Sequence, residues 1–275
     1  MSQANKAILC ASFDNMRSPQ IRLLEEAQAF GPVYVYIWND ATIETLTGAP
    51  PKFPVPERLY YLESISYVEK VTPVTLSHPD ELPAALDVRG TWVVAQDQDN
   101  PAKQAAAQKQ GLDYQGVTED KLASFPPWDP SSMKVEDTGN PKVLVTGCYD
   151  WFHTGHVRFF EEACEYGDLY VIVGHDANIE KLKGAGHPMF KEDERRYIVG
   201  SIRYVTQALV STGDGWLDAE PEIKLIKPDR YVVNEDGDKS AKKEYCQRNG
   251  IEYIVLKRLP KEGLIRREST QLRGF

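Results

Sequence analysis

Short apolar runs alternate along this chain with stretches whose apolar residues fall at helical spacing. In the second half the runs cover residues 143–146, 169–174, 208–211, 230–233 and 253–256. Between them, sets such as Val157, Phe160, Ala163 and Cys164 recur at the intervals of one helix face. Runs this short and apolar predict buried strands. Their alternation with helices predicts a parallel sheet covered on both faces, an open, doubly wound α/β fold. Ligands in such sheets bind at the carboxyl ends of strands. Residues 147–156 follow the first run and Asn234-Glu235-Asp236 follows the fourth, so both are expected to face one crevice.

The same pattern occurs twice, at an offset of roughly 136 residues. FDNMRSPQIRLLEEA, from Phe13, lies against YDWFHTGHVRFFEEA, from Tyr149. YVYIWNDATIETLTG from Tyr34 matches YVIVGHDANIEKLKG from Tyr170. ERLYYLESISYVEKV from Glu57 matches ERRYIVGSIRYVTQA from Glu194, and the run from Trp92 matches the run from Tyr231. Matches in one order imply duplication into two tandem Rossmann-like domains. We read a first unit over residues 1–125, a linker rich in turn formers over 126–141, and a second unit over 142–275. The copies differ in their polar residues. Arg17, Pro19 and Gln20 stand where the second has His153, Gly155 and His156. Thr45 and Thr47 replace Lys181 and Lys183; Ala95 and Gln96 replace Asn234 and Glu235. The first unit therefore reads as non-catalytic, and the second as the seat of chemistry.

Composition narrows the partners. A net charge of −9 and a pI near 5.2 argue against a nucleic-acid-binding protein, which needs a basic face. Residues 1–138 hold 11 Lys+Arg against 19 Asp+Glu, whereas 139–275 hold 21 against 22. A site for a polyanion belongs in that second half. No apolar run approaches the ~18 residues that span a membrane. The start MSQANKAILC lacks the basic and apolar regions of a secretory signal, and the cysteines show no C-x-x-C pair. Both point to the cytoplasm. Cys148 is open to two readings, a redox-sensitive thiol or a small half-buried filler.

Four of the five histidines fall between residues 153 and 187. His153 and His156 sit in the turn between an apolar strand and an amphipathic helix expected to begin near Gly155. Unpaired N–H groups and the helix dipole favour phosphate there. Two imidazoles beside that turn can donate hydrogen bonds to a triphosphate and to the charge that develops as it is split. Gly155, without a Cβ, would let phosphate approach the backbone. No third ligand at metal spacing follows, so we expect no metal site built by protein alone.

The segment from Gly147 resembles the nucleotidyltransferase superfamily whose signature is H-x-G-H, here His153-Thr154-Gly155-His156. The closest branch is the cytidylyltransferases acting on phosphocholine, phosphoethanolamine and glycerol 3-phosphate. Their pattern G-x-F-D-x-x-H-x-G-H is met with Tyr149 in place of Phe. The resemblance runs from Lys142 to about Arg273. It implies a Mg²⁺-dependent transfer of a nucleoside monophosphate from a triphosphate to a phosphorylated small molecule, releasing pyrophosphate. CTP is favoured, ATP is the alternative, and a nucleotide-binding regulator without turnover is a third reading. A homodimer is compatible with the family.

The resemblance assigns catalysis to His153, His156 and Lys183, the last in a K-G position that closes over phosphate. Nucleotide contacts go to the signature turn, Gly147, Cys148, Tyr149, Asp150 and Gly155, and to His175 and Asp176 at the second strand's end. Arg195 matches the family's E-R-x-x-x-V helix, whose arginine supports ligand binding. Asn234, Glu235 and Asp236 stand where relatives carry a G-D-D-W-like run, and would hold ribose or help place Mg²⁺. Arg258, Ser269 and Thr270 resemble the element R-T-x-G-[IV]-S-T-[ST]. Here three extra residues separate Gly263 from Ser269, and Arg266 and Arg267 lie in that stretch. His187 is placed in a Gly-rich loop able to act as a lid, and Trp216 is a candidate to stack on a base.

Overall fold

The computed structural model describes residues 5–84, 86 and 88–272. The chain divides into two compact units, Met1–Phe125 and Pro126–Phe275. The first runs β1 (Lys6–Ala11), α1 (Ser18–Ala27), β2 (Val33–Trp38), α2 (Asp40–Thr47), α3 (Val55–Glu63) and β3 (Val68–Val74). It continues with β4 (Gly90–Ala95), α4 (Pro101–Lys109), β5 (Asp113–Val117) and the short α5 (Glu119–Leu122). The second runs β6 (Lys142–Gly147), α6 (Thr154–Ala163), β7 (Asp168–Val173), α7 (Asp176–Lys183), α8 (Glu192–Gly200) and β8 (Gln207–Val210). It ends with α9 (Glu220–Ile226), β9 (Arg230–Asn234), α10 (Ser240–Arg248) and β10 (Glu252–Leu256). Arg273, at the limit of the family resemblance, lies outside the described residues.

Each unit holds one five-stranded sheet, in the orders β3-β2-β1-β4-β5 and β10-β9-β6-β7-β8. All the pairings are parallel. Followed along the chain, both sheets have the same strand order, with the first strand at the centre. Such sheets are covered on both faces, which is why their strands read as continuous apolar runs. Val143, Leu144 and Val145 are wholly buried, as are Ala7 and Ile8. Helices α1 and α6 place Ile21, Leu24 and Ala27, or Val157, Phe160 and Ala163, against the sheet, all at 0% exposure. Winding reverses between β1 and β4, and again between β6 and β9. Those gaps at the carboxyl edge are where this architecture binds ligands.

Two departures from the sequence reading concern the joins. From Pro126 onward the segment read as linker packs on the second unit, with Trp128 and Met133 against its core. The Trp128 backbone N–H donates to the Asp193 carboxylate at 2.7 Å, and the Arg196 guanidinium sits 5.5 Å over the indole. Helix α9 also has no counterpart in the first unit, where the described residues between β3 and β4 form no helix.

Candidate active site

The turn after β6 is built by side chains that cap α6. His153 is the N-cap, and its Nδ1 accepts from the Gly155 N–H at 3.0 Å. His156, one turn on, accepts from the His153 N–H through its own Nδ1 at 3.3 Å. The two rings stack, with centroids 4.1 Å apart. An imidazole that accepts at Nδ1 carries its proton on Nε2, so this reciprocal cap fixes both histidines as Nε2–H donors. His153 is 3% exposed, and its Nε2 has no hydrogen-bond partner among the described residues. Burial, with Arg258 and Arg267 nearby, lowers its pKa from 6.5 to about 3. The His156 pKa also falls well below its ordinary value, through burial and then the fields of His153, Arg258 and Lys183. Both rings are neutral donors at pH 7.

Two glycines make room for this arrangement. A Cβ on Gly155 would stand 2.7 Å from the His153 Cε1, so the glycine admits the histidine ring, a nearer role than the close approach of phosphate read from the sequence. A Cβ on Gly147 would stand 2.7 Å from the Tyr149 Cζ. Tyr149 adopts a left-handed backbone, φ 54°, and drives its ring inward against His156 and Phe160. Asp150 ties the turn to the loop before α8: its Oδ1 accepts from the Met189 and Phe190 N–H groups at 2.8 and 3.0 Å.

A cavity of about 560 Å³ opens at this edge of the sheet, at the gap between β6 and β9. It is lined by the turn, including Gly147, Cys148, Tyr149, Asp150, His153, Gly155 and His156. Lys183 reaches it from the last turn of α7, His187 from the loop that follows, and Asn234 and Asp236 from the end of β9 and the turn after it. Arg258, Ser269 and Thr270 come from the C-terminal segment, where Arg258 pairs with Asp236 at 2.9 Å. Ser269 opens a 3-10 turn, Ser269–Leu272. Lys242 also lines the cavity and was overlooked in the sequence. Its signal was there: Lys103 occupies the same place in the first repeat.

Five residues expected at the site stand elsewhere. Arg195 is 1% exposed and every branch of its guanidinium is used. It donates to the carbonyls of Phe190, Cys148 and Gly174 and to the Asp176 carboxylate, at 2.5–2.9 Å. Four of its five N–H donors are thus committed within the chain, and Arg195 holds the loops that carry the turn. Asp176 is its partner, and also lies 3.5 Å from Lys191. His175 caps α7, accepting from the Asn178 N–H through Nδ1 and facing the Gly213 carbonyl through Nε2. Glu235 lies in a 3-10 turn and does not line the cavity. Trp216 is 53% exposed and also outside it.

The first unit repeats this framework without the polar site. Arg58 donates to Phe53, Ser12 and Trp38 carbonyls and to Asp40, as Arg195 does in its own unit. Asp14 accepts from the Lys52 and Phe53 N–H groups, and Phe13 has φ 47°. The Gln20 Oε1 still accepts from the Arg17 N–H at 3.0 Å. The other half of the cap is gone on both sides, because Pro19 has no N–H to donate and arginine no acceptor to receive it.

The cytidylyltransferase-like family model matches residues 144–262. The FAD synthase of Aciduliprofundum boonei (strain DSM 19572 / T469) is 36% identical over 125 residues, 44% of this chain and 80% of that protein. The chain belongs to the cytidylyltransferase-like family. Its second unit is thus a nucleotidyltransferase of the H-x-G-H superfamily. The bifunctional protein HldE of Aliarcobacter butzleri (strain RM4018) is 32% identical over 122 residues, and the match spans only 25% of that relative. The lipopolysaccharide core biosynthesis protein from Thermoplasma volcanium GSS1 matches 44% of this cytidylyltransferase-like chain and 98% of its own, at 21% identity and TM-score 0.37. Among the described residues no helix is long and apolar enough to cross a membrane.

Proposed function

We propose that the second unit transfers a nucleoside monophosphate from a nucleoside triphosphate to the phosphate of a small acceptor. The acceptor's phosphate oxygen attacks the α-phosphorus, the α–β bridging bond breaks, and its electron pair leaves with pyrophosphate. The observation that carries this reading is the capped turn: two neutral imidazoles held as Nε2–H donors, one without a partner, at the mouth of a helix. Donors fixed before substrate arrives stabilise charge as it develops and need no reorganisation. Lys183 and Arg258 supply positive charge along the same cavity. An acceptor phosphate is already ionised at neutral pH, so no general base is needed and positioning is the main task.

Mg²⁺ would enter with the triphosphate and neutralise its charge. The carboxylates on the cavity fit that mode. Asp236 and Glu268 already face Arg258, and Asp150 has Oδ1 committed to the backbone. The single oxygen that each carboxylate has left suits a hydrated Mg²⁺ held by phosphates better than a protein cage. We assign ATP as the first nucleotide to test, because the relative named FAD synthase makes a product that contains an adenylyl group. CTP is the second reading, supported by the family's own description and by the K-G and S-T elements. Pyrophosphate release from each triphosphate, against phosphorylated alcohols, sugars and flavin mononucleotide, decides between them. No release with any pair would refute the transfer. Lys183→Ala should raise the KM for the triphosphate and lower kcat, and unchanged kinetics would remove it from the site.

A further inference from the structure

The two repeats keep one lysine whose surroundings have diverged. Lys103 and Lys242 are each the third residue of the helix after the fourth strand of their unit, α4 and α10. That is the positive end of a helix, the wrong place for a cation on electrostatic grounds. In the first unit the cost is met within the chain. Lys103 is 7% exposed, and its ammonium lies 2.7 Å from the Asp80 carboxylate, which also accepts from Asn100. Asp80 comes from the stretch between β3 and β4, which the second unit replaces with α9 and its flanking turns. Lys242 keeps the position without that carboxylate.

Lys242 is half-buried and lines the cavity, and its ammonium has no ion pair or hydrogen bond to any described residue. Its ammonium sits 5.5 Å over the Tyr231 ring. Burial lowers its pKa, and Asp218 and Asp236 act on it only from a distance. Tyr231 is itself fixed by a 2.7 Å hydrogen bond between its hydroxyl and Thr146, so the cation rests on a rigid platform. A desolvated ammonium on an open cavity, whose twin is neutralised by a built-in carboxylate, lacks an anion.

We propose that Lys242 is a phosphate ligand of the cavity, pairing with an oxyanion of bound substrate where the first unit provides Asp80. This rests on the nucleotidyl-transfer reading for which substrate brings the phosphate, but not for the anion site itself. The oxyanion belongs either to the nucleotide or to the acceptor.

The full chain, as wild type, Lys242→Met and Lys242→Arg, can be titrated calorimetrically with MgATP, MgCTP, inorganic pyrophosphate and inorganic phosphate. Methionine keeps the length and apolar stem of the side chain, so the fold should persist, as thermal unfolding would verify. Lys242→Met should weaken at least one probe about tenfold or more, the size of a lost charge-assisted hydrogen bond, and Lys242→Arg should retain most of it. Weakened MgATP, MgCTP or pyrophosphate marks the nucleotide as the source. Weakened inorganic phosphate with unchanged nucleotide marks the acceptor. Wild-type affinity of Lys242→Met for all four probes overturns the proposal. If the wild type binds no nucleotide yet loses phosphate on Lys242→Met, the anion site stands and nucleotidyl transfer falls. Should Lys242→Met unfold, ¹³C-methylated lysines give a second measure: the Lys242 signal, identified by its loss in Lys242→Arg, should titrate at higher pH once phosphate is added. No change on addition of any of the four probes would equally overturn it.

Discussion

Each imidazole of the turn spends Nδ1 on a backbone N–H, which leaves Nε2–H for substrate. His153→Ala and His156→Ala should therefore each lower kcat by roughly 10²-fold with the fold retained, the scale for losing a preorganised donor. Steady-state pyrophosphate release checks this. Gly155→Ala tests the geometry instead of the chemistry. Its methyl would push the His153 ring from the cap, so turnover should fall although both histidines remain. Acid should act through the same ring. With its pKa at 6.5 unfolded and about 3 folded, His153 binds fewer protons in the native chain between those values. Its contribution to stability is complete above pH 6.5 and is lost as pH falls toward 3. From pH 7 to pH 5 that loss is about 2 kcal/mol. Urea unfolding of the second unit at the two pH values should register it, and His153→Gln should remove that part of the slope.

At the scale of elements, the networks around Arg58 and Arg195 clamp the same three pieces in each unit: the turn after the first strand, the end of the second, and the loop before α3 or α8. Arg58→Met and Arg195→Met should each cost roughly 3–5 kcal/mol in their own unit, the range for opening a buried, hydrogen-bonded charge. Calorimetric scans should show one transition lowered in each variant. A raised KM for nucleotide with intact stability in Arg195→Met would restore Arg195 as a ligand residue. The strands were legible in the sequence to within a residue at either end, because parallel strands buried on both faces leave unbroken apolar runs. The turn, Asn234 and Asp236 were readable as cavity residues because each follows a strand end at the binding edge, and Lys183, Arg258, Ser269 and Thr270 through the resemblance to the H-x-G-H superfamily. His175 and Asp176 were read from a strand end and Arg195 from the E-R-x-x-x-V pattern, and neither signal tells where a side chain turns. The repeat held the remedy. Asn39, Asp40 and Arg58 occupy their places in a unit that lacks the histidines, which marks all three as framework. Lys242 escaped by the same logic in reverse, since only its partner had changed.

At the scale of the whole molecule, the first unit keeps a crevice of about 450 Å³ at its own sheet reversal. Asp14, Asp97 and Glu119 line it, and no lysine or arginine is among its described lining residues; Asp14 faces the buried Arg58 guanidinium at 4.0 Å. A crevice that presents carboxylates and no cation on its lining disfavours a triphosphate, so titration of the full chain with MgATP or MgCTP should saturate at one nucleotide per chain. Two equivalents would mean that the first crevice binds nucleotide as well. The identical strand order of the two sheets also bears on how the chain is made. Two frames in one polypeptide compete for the same kind of central strand, and β1 or β6 could nucleate either. Vectorial synthesis removes that ambiguity, because an N-terminal unit can close its sheet before the second is complete. A chain refolded whole from denaturant has no such order, so strand exchange between its repeats is the misassembly it must avoid.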